Sequence, residues 1–411
     1  MPKLRWLERS VQKTTASVGP VAQRLVRDFV IGSYLAGTAI LSGIARRLCP
    51  DKRGFEAALE RLSRGLKRQC CAVARVVATY RTRVVAAARR AGFNVWAIDL
   101  SEIVKPYGRK LPFLCEVRDG SKSTRYKNVI APGWWTVEVV ATDGEHRVVP
   151  LLRHLYSTVH PAYKSVADEL RQALATLKPL LWAGVRAVLD RGFDGDHYFT
   201  VLDDYLPDWA VRQKGNRQVY LPGHTEPVRM STLAKTVSQD HLARPLVVRR
   251  GELVRKRQTF GFCTVEVPRT TVRRGRKKPV CRLMSLIVAD RHDPLTPALM
   301  LLVNRPVHDV ATARAWVEAY FRRWGAEDET RADKQLGGLE DLRVKSWESL
   351  QSLVALSVVS SGLLALLQVE APRRAARLAR TAPIDGEVPT FALYRIWLSV
   401  ALLLAGHTRR R

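Results

Sequence analysis

Four polar residues in the last quarter of the chain share a helical spacing. Tyr320, Arg323, Glu327 and Lys334 stand at offsets of 0, 3, 7 and 14. At ~100° per residue, one continuous helix over this stretch would gather them into a stripe about 60° wide. Two further carboxylates end short apolar runs, Val95-Trp-Ala-Ile-Asp99 and Val185-Arg-Ala-Val-Leu189-Asp190. Carboxylates at the ends of neighbouring strands, met by one from a crossing helix, can hold two Mg²⁺ ions about 3.5–4 Å apart. Such a pair activates a water or a 3′-hydroxyl and steadies the leaving oxygen of a phosphodiester. Each residue also has a plainer reading on its own. A strand-end Asp is a turn former, and Arg323 with Glu327 is an i,i+4 surface pair.

The elements that must position these groups follow from periodicity. Residues 1–92 read as a basic helical domain. Within it, Arg61, Arg64, Arg68 and Arg75 fall on one face of a single predicted helix from Leu59 to Ala88. From Asn94 the texture becomes mixed: strands at Val95–Asp99, Pro112–Val117 and Thr136–Ala141, a helix over Pro161–Leu177, a strand ending at Asp190, a helix to Tyr205 and a strand at Trp209–Arg212. Residues 93–213 are therefore expected as the first part of a catalytic core. Residues 214–304 read as a basic, β-rich insertion in which Arg273–Lys278 is a hairpin tip or a loop. Residues 305–370 complete the core with the Glu327 helix, and 371–411 form a basic helical segment for DNA contact or dimerisation.

Charge separates these parts. The chain of 411 residues has 68 Lys and Arg against 38 Asp and Glu, a net of +30. Residues 1–90 carry +14, 214–304 carry +12 and 371–411 carry +6, which leaves −2 for the rest. A balanced centre with basic appendages suits a metal-gathering reaction centre flanked by phosphate-holding modules. A surplus of this size excludes few classes but favours a polyanionic partner, nucleic acid before membrane.

The spacing also matches a known signature. The chain resembles the bacterial insertion-sequence DDE transposases whose catalytic helix reads Y-(2)-R-(3)-E-(6)-K. Here that is Tyr320-Phe-Arg-Arg323-Trp-Gly-Ala-Glu327 and then Lys334. Ile98-Asp99-Leu-Ser-Glu-Ile-Val-Lys105-Pro-Tyr-Gly108 and Leu189-Asp190-Arg-Gly-Phe193 look like the two Asp regions of that family. The resemblance spans about residues 94–348. It implies an α/β, ribonuclease H-like core interrupted by the β-rich insertion, with Asp99, Asp190 and Glu327 as catalytic metal ligands for Mg²⁺ (Mn²⁺ substituting). It implies that Tyr320, Arg323 and Lys334 contact phosphates near the scissile bond. The implied reaction is end cleavage by hydrolysis, then attack of the freed 3′-OH on target DNA. The implied partners are the terminal inverted repeats of the chain's own element, target DNA and a second copy in a synaptic dimer. Gly325-Ala326 departs from the bulkier residues the family has before its Glu, and Gly lowers helix stability by about 1 kcal/mol relative to Ala.

Further DNA-contact candidates are Lys105 and Arg191, just past the two Asp residues, with Arg61, Arg64 and Arg68. Asp119-Gly120 reads as a turn, and Trp134-Trp135 as packing. Six Cys without ligand spacing read as reduced thiols, and the N-terminus has no apolar h-region. A cytoplasmic, nucleoid-associated protein is expected. The uncharged runs Phe29–Ala45, Leu350–Val369 and Ile396–Ala405 are read as buried core helices rather than spans. A binding-class rival is a decayed or domesticated relative that grips DNA without cutting it.

Overall fold

The computed structural model describes residues 5–124, 126–143, 147–249, 252–273, 276–289, 298–382 and 392–408. Five helices come first: α1 (Arg5–Thr15), α2 (Pro20–Ala36), α3 (Leu41–Leu48), α4 (Lys52–Arg68) and α5 (Cys70–Arg90). Their apolar faces join the core of the rest of the chain. Tyr80 of α5 donates its hydroxyl to Pro150 O at 2.5 Å. The predicted single helix from Leu59 to Ala88 is two helices that meet at Gln69, so Arg75 is on a different helix from Arg61, Arg64 and Arg68.

Next come β1 (Val95–Val104), β2 (Cys115–Arg118), β3 (Ile130–Thr142), β4 (Val148–Tyr156), α6 (Val166–Leu177), β5 (Arg186–Leu189), α7 (Asp196–Tyr205) and β6 (Trp209–Arg212). β4 is absent from the sequence reading because Pro150, Arg153 and His154 interrupt its apolar run. Pro150 sits where the β3–β4 register shifts, at an irregularity that tolerates a residue without an N–H. β3 pairs antiparallel with both β1 and β4, whereas β5 is parallel to β1 and β6 is parallel to β5.

The stretch expected as an insertion contains β7 (Gln218–Val219), β8 (Val228–Arg229), α8 (Met230–Thr236), β9 (His241–Ala243), β10 (Leu246–Arg249), β11 (Glu252–Arg255), β12 (Gln258–Arg273), β13 (Arg276–Ala289) and β14 (Leu299–Val303). Two short pairs, β7–β8 and β10–β11, stand as sheets of their own, and the longer strands join the central one. β14 pairs with β6, and β13, β12 and β9 follow outward, so these strands lengthen the central sheet to ten. Of the basic stretch Arg273–Lys278, Arg273 ends β12 and Arg276–Lys278 begin β13, paired with one another, while residues 274–275 lie outside the described ones.

The chain closes with α9 (Val310–Arg322), α10 (Trp324–Gln335), α11 (Trp347–Glu370), α12 (Pro372–Arg380) and α13 (Ala392–Thr408). Alternation along the strands sorts side chains between the two faces. Trp96, Ile98, Ala187 and Leu189 join the larger core, while Val95, Ala97 and Val188 pack on the face that α9 covers. Asp99 and Asp190, each two residues on from a member of the second set, inherit that face. α11 is apolar all round and has the length and composition of a membrane span, yet 89% of its most apolar window is buried inside the protein. α2 and α3 together form a second such stretch, bent by 91°. As expected, the apolar runs of α2–α3 and α11 are core.

Candidate active site

α9 and α10 lie over the face that carries Asp99 and Asp190. The expected single helix is interrupted at Arg323, where two tightened bonds occur in succession: Arg323 N to Tyr320 O at 3.0 Å and Ala326 N to Arg323 O at 2.9 Å. Gly325 explains how the second helix starts so close to the sheet. A Cβ there would meet Val148 Cγ2 at 2.8 Å. The break does not scatter the predicted stripe. Tyr320, Arg323 and Lys334 all turn toward the sheet, as their partners show.

Arg323 is the centre of the arrangement. Its Nη1 donates to Asp99 Oδ2 at 2.9 Å and its Nη2 to Glu327 Oε1 at 2.8 Å. The side chain is almost wholly buried, and its Nε has no hydrogen-bond partner. Tyr320, buried on α9, donates its hydroxyl to Asp190 Oδ1 at 3.3 Å, and Arg212 Nη1 stands 3.9 Å from the same oxygen. One phenol and two guanidiniums thus hold three carboxylates drawn from β1, the end of β5 and α10. Burial pushes the Asp99 carboxyl up to about 7; Arg323 opposes this, while Glu327, Asp190 and Glu138 add to it. Asp99, then Tyr320, Glu327 and Asp190, raise the Arg323 guanidinium above its ordinary value despite burial. Asp99, Asp190 and Glu327 keep 24%, 31% and 43% of their side chains open to solvent, so a small ligand has access. Among the described residues, no set of three His, Cys, Asp or Glu is arranged to hold a metal ion. In this geometry Arg323 stands between the oxygens.

The other candidates divide. Lys334 bridges Glu102 Oε1 at 3.2 Å and Glu340 Oε1 at 3.3 Å, beside the trio rather than within it. Arg191 is exposed in the short turn Arg191–Phe193 that follows Asp190. Lys105 does not face outward: it is buried and donates from Nζ to Glu340 O, and burial lowers its ammonium to about 8. Arg61 is held by Asp28 through Nε at 3.1 Å and Nη2 at 2.9 Å, and Arg64 pairs with Glu60 one turn away. Arg68 is exposed at the end of α4. Asp119 caps its own turn, taking bonds from Ser121 and from the Lys122 N–H. Trp134 and Trp135 donate their indole N–H groups to Pro112 O and Glu116 O.

A second charged group lies beside the trio, and the sequence reading passed over it. Glu138 is the cross-strand partner of Asp99, and Arg153 is the partner of Glu138, so the three form a row across β1, β3 and β4. Arg153 donates from Nε to Glu138 at 2.8 Å, from Nη2 to Glu329 at 3.0 Å and from Nη1 to Asp333 at 2.6 Å. Burial, then Asp333, raises the Glu329 carboxyl well above its usual range, while Arg153 holds Glu138 below it against burial. Glu329 and Asp333 sit on α10 at i and i+4, a spacing legible beforehand. What the sequence did not signal was the strand that brings Arg153 to them.

No family model matches the chain, and no curated protein matches it. Among solved structures it is similar to a piggyBac transposase, in a cryo-EM structure of the synaptic complex with hairpin DNA. The TM-score is 0.36 and the identity 9%, over 76% of this chain and 54% of that one. The chain therefore spans about half the length of that transposase.

Proposed function

We propose that the chain is a metal-dependent DNA transposase that cleaves the ends of its own element and joins the freed 3′-OH to target DNA. One observation supports this above the others. Asp99, Asp190 and Glu327, far apart in sequence, converge on one face of a sheet under a helix pair that also carries Tyr320 and Arg323. The strand order β4-β3-β1-β5-β6, with the first three antiparallel and the last two parallel to β1, supports reading this part as ribonuclease H-like.

The donor chemistry is that of a hard divalent cation, three carboxylates partly open to solvent, but as placed here, with Arg323 between Asp99 and Glu327, they are not arranged to hold one. With Arg323 withdrawn, Asp99, Asp190 and Glu327 would be the residues to hold Mg²⁺, which would supply water activation and leaving-group stabilisation at a phosphodiester. The protein's own groups do the rest. Tyr320 orients Asp190 through its hydroxyl. Arg323 offsets the charge of Asp99 and Glu327 until a phosphate arrives, then serves as a bidentate partner for it. Lys334 and Arg191 extend the cationic rim along the strand and align the bond for in-line attack. DNA ends, target DNA, a synaptic dimer and a nucleoid-associated cytoplasmic location belong to the same reading.

One observation favours a rival, a relative that binds DNA without cutting it: Arg323 stands between the carboxylates. The test separates the two. A duplex carrying inverted repeats that flank the reading frame is incubated with the protein and Mg²⁺, then with EDTA. Metal-dependent nicking at the repeat boundary, lost in Glu327→Gln with end binding kept, supports the transposase. Tight end binding without nicking in Mg²⁺ or Mn²⁺ supports the rival.

A further inference from the structure

The side chains of Arg153, Glu138, Glu329 and Asp333 are each no more than 2% exposed. One guanidinium serves three carboxylates, using Nε, Nη1 and Nη2 on a different partner each. Three hydroxyls join the group, with Thr136 of β3 donating to Glu138 Oε1 at 3.1 Å. Thr330 of α10 donates to the second oxygen of Glu138, and Ser361 of α11 donates to Glu329 at 3.2 Å and Asp333 at 3.4 Å. The strands contribute Glu138 and Arg153, and α10 contributes Glu329, Thr330 and Asp333.

Such a group is a poor way to add stability. Buried ion pairs lose much of their attraction to desolvation, and apolar side chains of similar volume hold elements together equally well. Apolar contacts do not fix register, however, whereas a planar guanidinium with three directed bonds does. A slip of α10 by one residue is about 1.5 Å of rise and 100° of rotation, and it would break together the bonds that Glu329, Thr330 and Asp333 make with the two strands. The group lies in the row that contains Asp99, and it grips α10 two residues beyond Glu327. It therefore sets how far the Glu327 carboxylate stands from that of Asp99.

We propose that Arg153 is a positioning residue: with Glu138, Glu329 and Asp333 it fixes the register of α10 on the sheet and thereby places Glu327 against Asp99. This rests on the reading of Glu327 as a catalytic group. Chemistry carried by Asp99 and Glu327 depends on placing both to within a fraction of an ångström, so a chain with a loosened α10 should bind DNA normally and react slowly.

The experiment uses the full chain, Mn²⁺-dependent nicking of supercoiled plasmid, DNA affinity by fluorescence anisotropy and thermal melting. Arg153→Lys keeps the charge but not the three-way geometry. A neutral variant of similar size, Arg153→Met with Glu138→Gln, Glu329→Gln and Asp333→Asn, guards against a lysine variant that does not fold. Thr330→Val removes one bond between α10 and Glu138, and Thr330→Ser restores it. The expected result is at least a tenfold loss of nicking rate in the folded Arg153 variants, with DNA affinity within twofold of wild type. A smaller loss is expected in Thr330→Val and recovery in Thr330→Ser. If Glu327→Gln is inactive while a folded Arg153 variant nicks within twofold of wild type, the positioning role is overturned and the function stands. If Glu327→Gln itself nicks like wild type, the reading of Glu327 fails and the positioning role fails with it.

Discussion

Arg323 donates to Asp99 at 2.9 Å across 224 residues of sequence, and this bond ties α10 to the first strand of the sheet. It makes Arg323 a different residue from the one its spacing alone suggests. An exposed i,i+4 partner of Glu327 is worth about 0.3–0.5 kcal/mol. A guanidinium almost fully buried between two carboxylates is worth more, because removing it strands both of them.

Arg323→Ala is therefore expected to lower both stability and cleavage. Asp99 and Glu327 are partly solvated, so the loss should stay below the ~3–5 kcal/mol of a fully buried pair broken on one side. Cleavage per folded molecule should fall at least tenfold. Thermal melts with single-turnover nicking check both. Early melting with normal cleavage per folded molecule would make Arg323 purely structural.

Lys334→Ala should behave otherwise. Its partners Glu102 and Glu340 both reach solvent, so stability should change by less than about 1 kcal/mol. Affinity for duplex DNA should fall and its salt dependence flatten by about one phosphate. An unchanged slope removes Lys334 from the DNA interface.

The N-terminal helices call for surface substitutions rather than deletion. Tyr34 of α2 donates to Ser360 O at 2.6 Å, and Tyr80 of α5 reaches Pro150, so removing residues 1–90 should unfold what remains. Arg68→Ala with Arg75→Ala alters exposed positions only. The pair should weaken DNA binding and reduce its salt slope by about two, with melting unchanged. Unaltered binding at low salt would locate end recognition elsewhere.

Gly362→Ala tests the seat of α11. A Cβ at this position would lie 1.7 Å from the Tyr80 hydroxyl and 2.3 Å from its Cζ, so Tyr80 must leave its place. Overpacking of this kind is expected to destabilise by about 1–3 kcal/mol or more, measurable by urea denaturation. A neutral effect would mean that Tyr80 moves freely.

Lys105 gives a signed pH dependence. Burial lowers its ammonium to about 8, against 10.5 for an ordinary lysine. Between those values the unfolded chain holds a proton that the folded chain has released, so stability rises with pH across that window. Below pH 8 the full desolvation penalty is present. Wild type should therefore gain on Lys105→Met as pH climbs from about 8 to 10.5 in paired melting curves. A constant difference would show Lys105 to be solvated.

Local chemistry was legible and tertiary chemistry was not. Asp99 and Asp190 could be picked out because each ends an apolar run, and Tyr320, Arg323 and Glu327 because helical spacing survives a tightened turn. The close approach at Gly325 comes from Val148, on a strand that Pro150 and Arg153 concealed. Asp99 reads as a strand end with Lys105 as an outward cation beyond it, but β1 runs on to Val104, and the Glu340 carbonyl turns Lys105 inward. The stripe from Arg61 to Arg75 is continuous in spacing, and only the packing of α4 and α5 breaks it at Gln69.

The burial of α11 has a consequence for synthesis of the chain. The apolar faces of α2, α4 and α5 are completed by a helix encoded more than 250 residues after Arg90. At about 5–20 residues per second, the early helices leave the ribosome tens of seconds before their partner exists. Until Trp347–Glu370 arrives, the first helices must stay partly open. Nascent-chain lengths that stop before residue 347 should be sensitive to protease and dependent on chaperones, and those past residue 370 should become protected together.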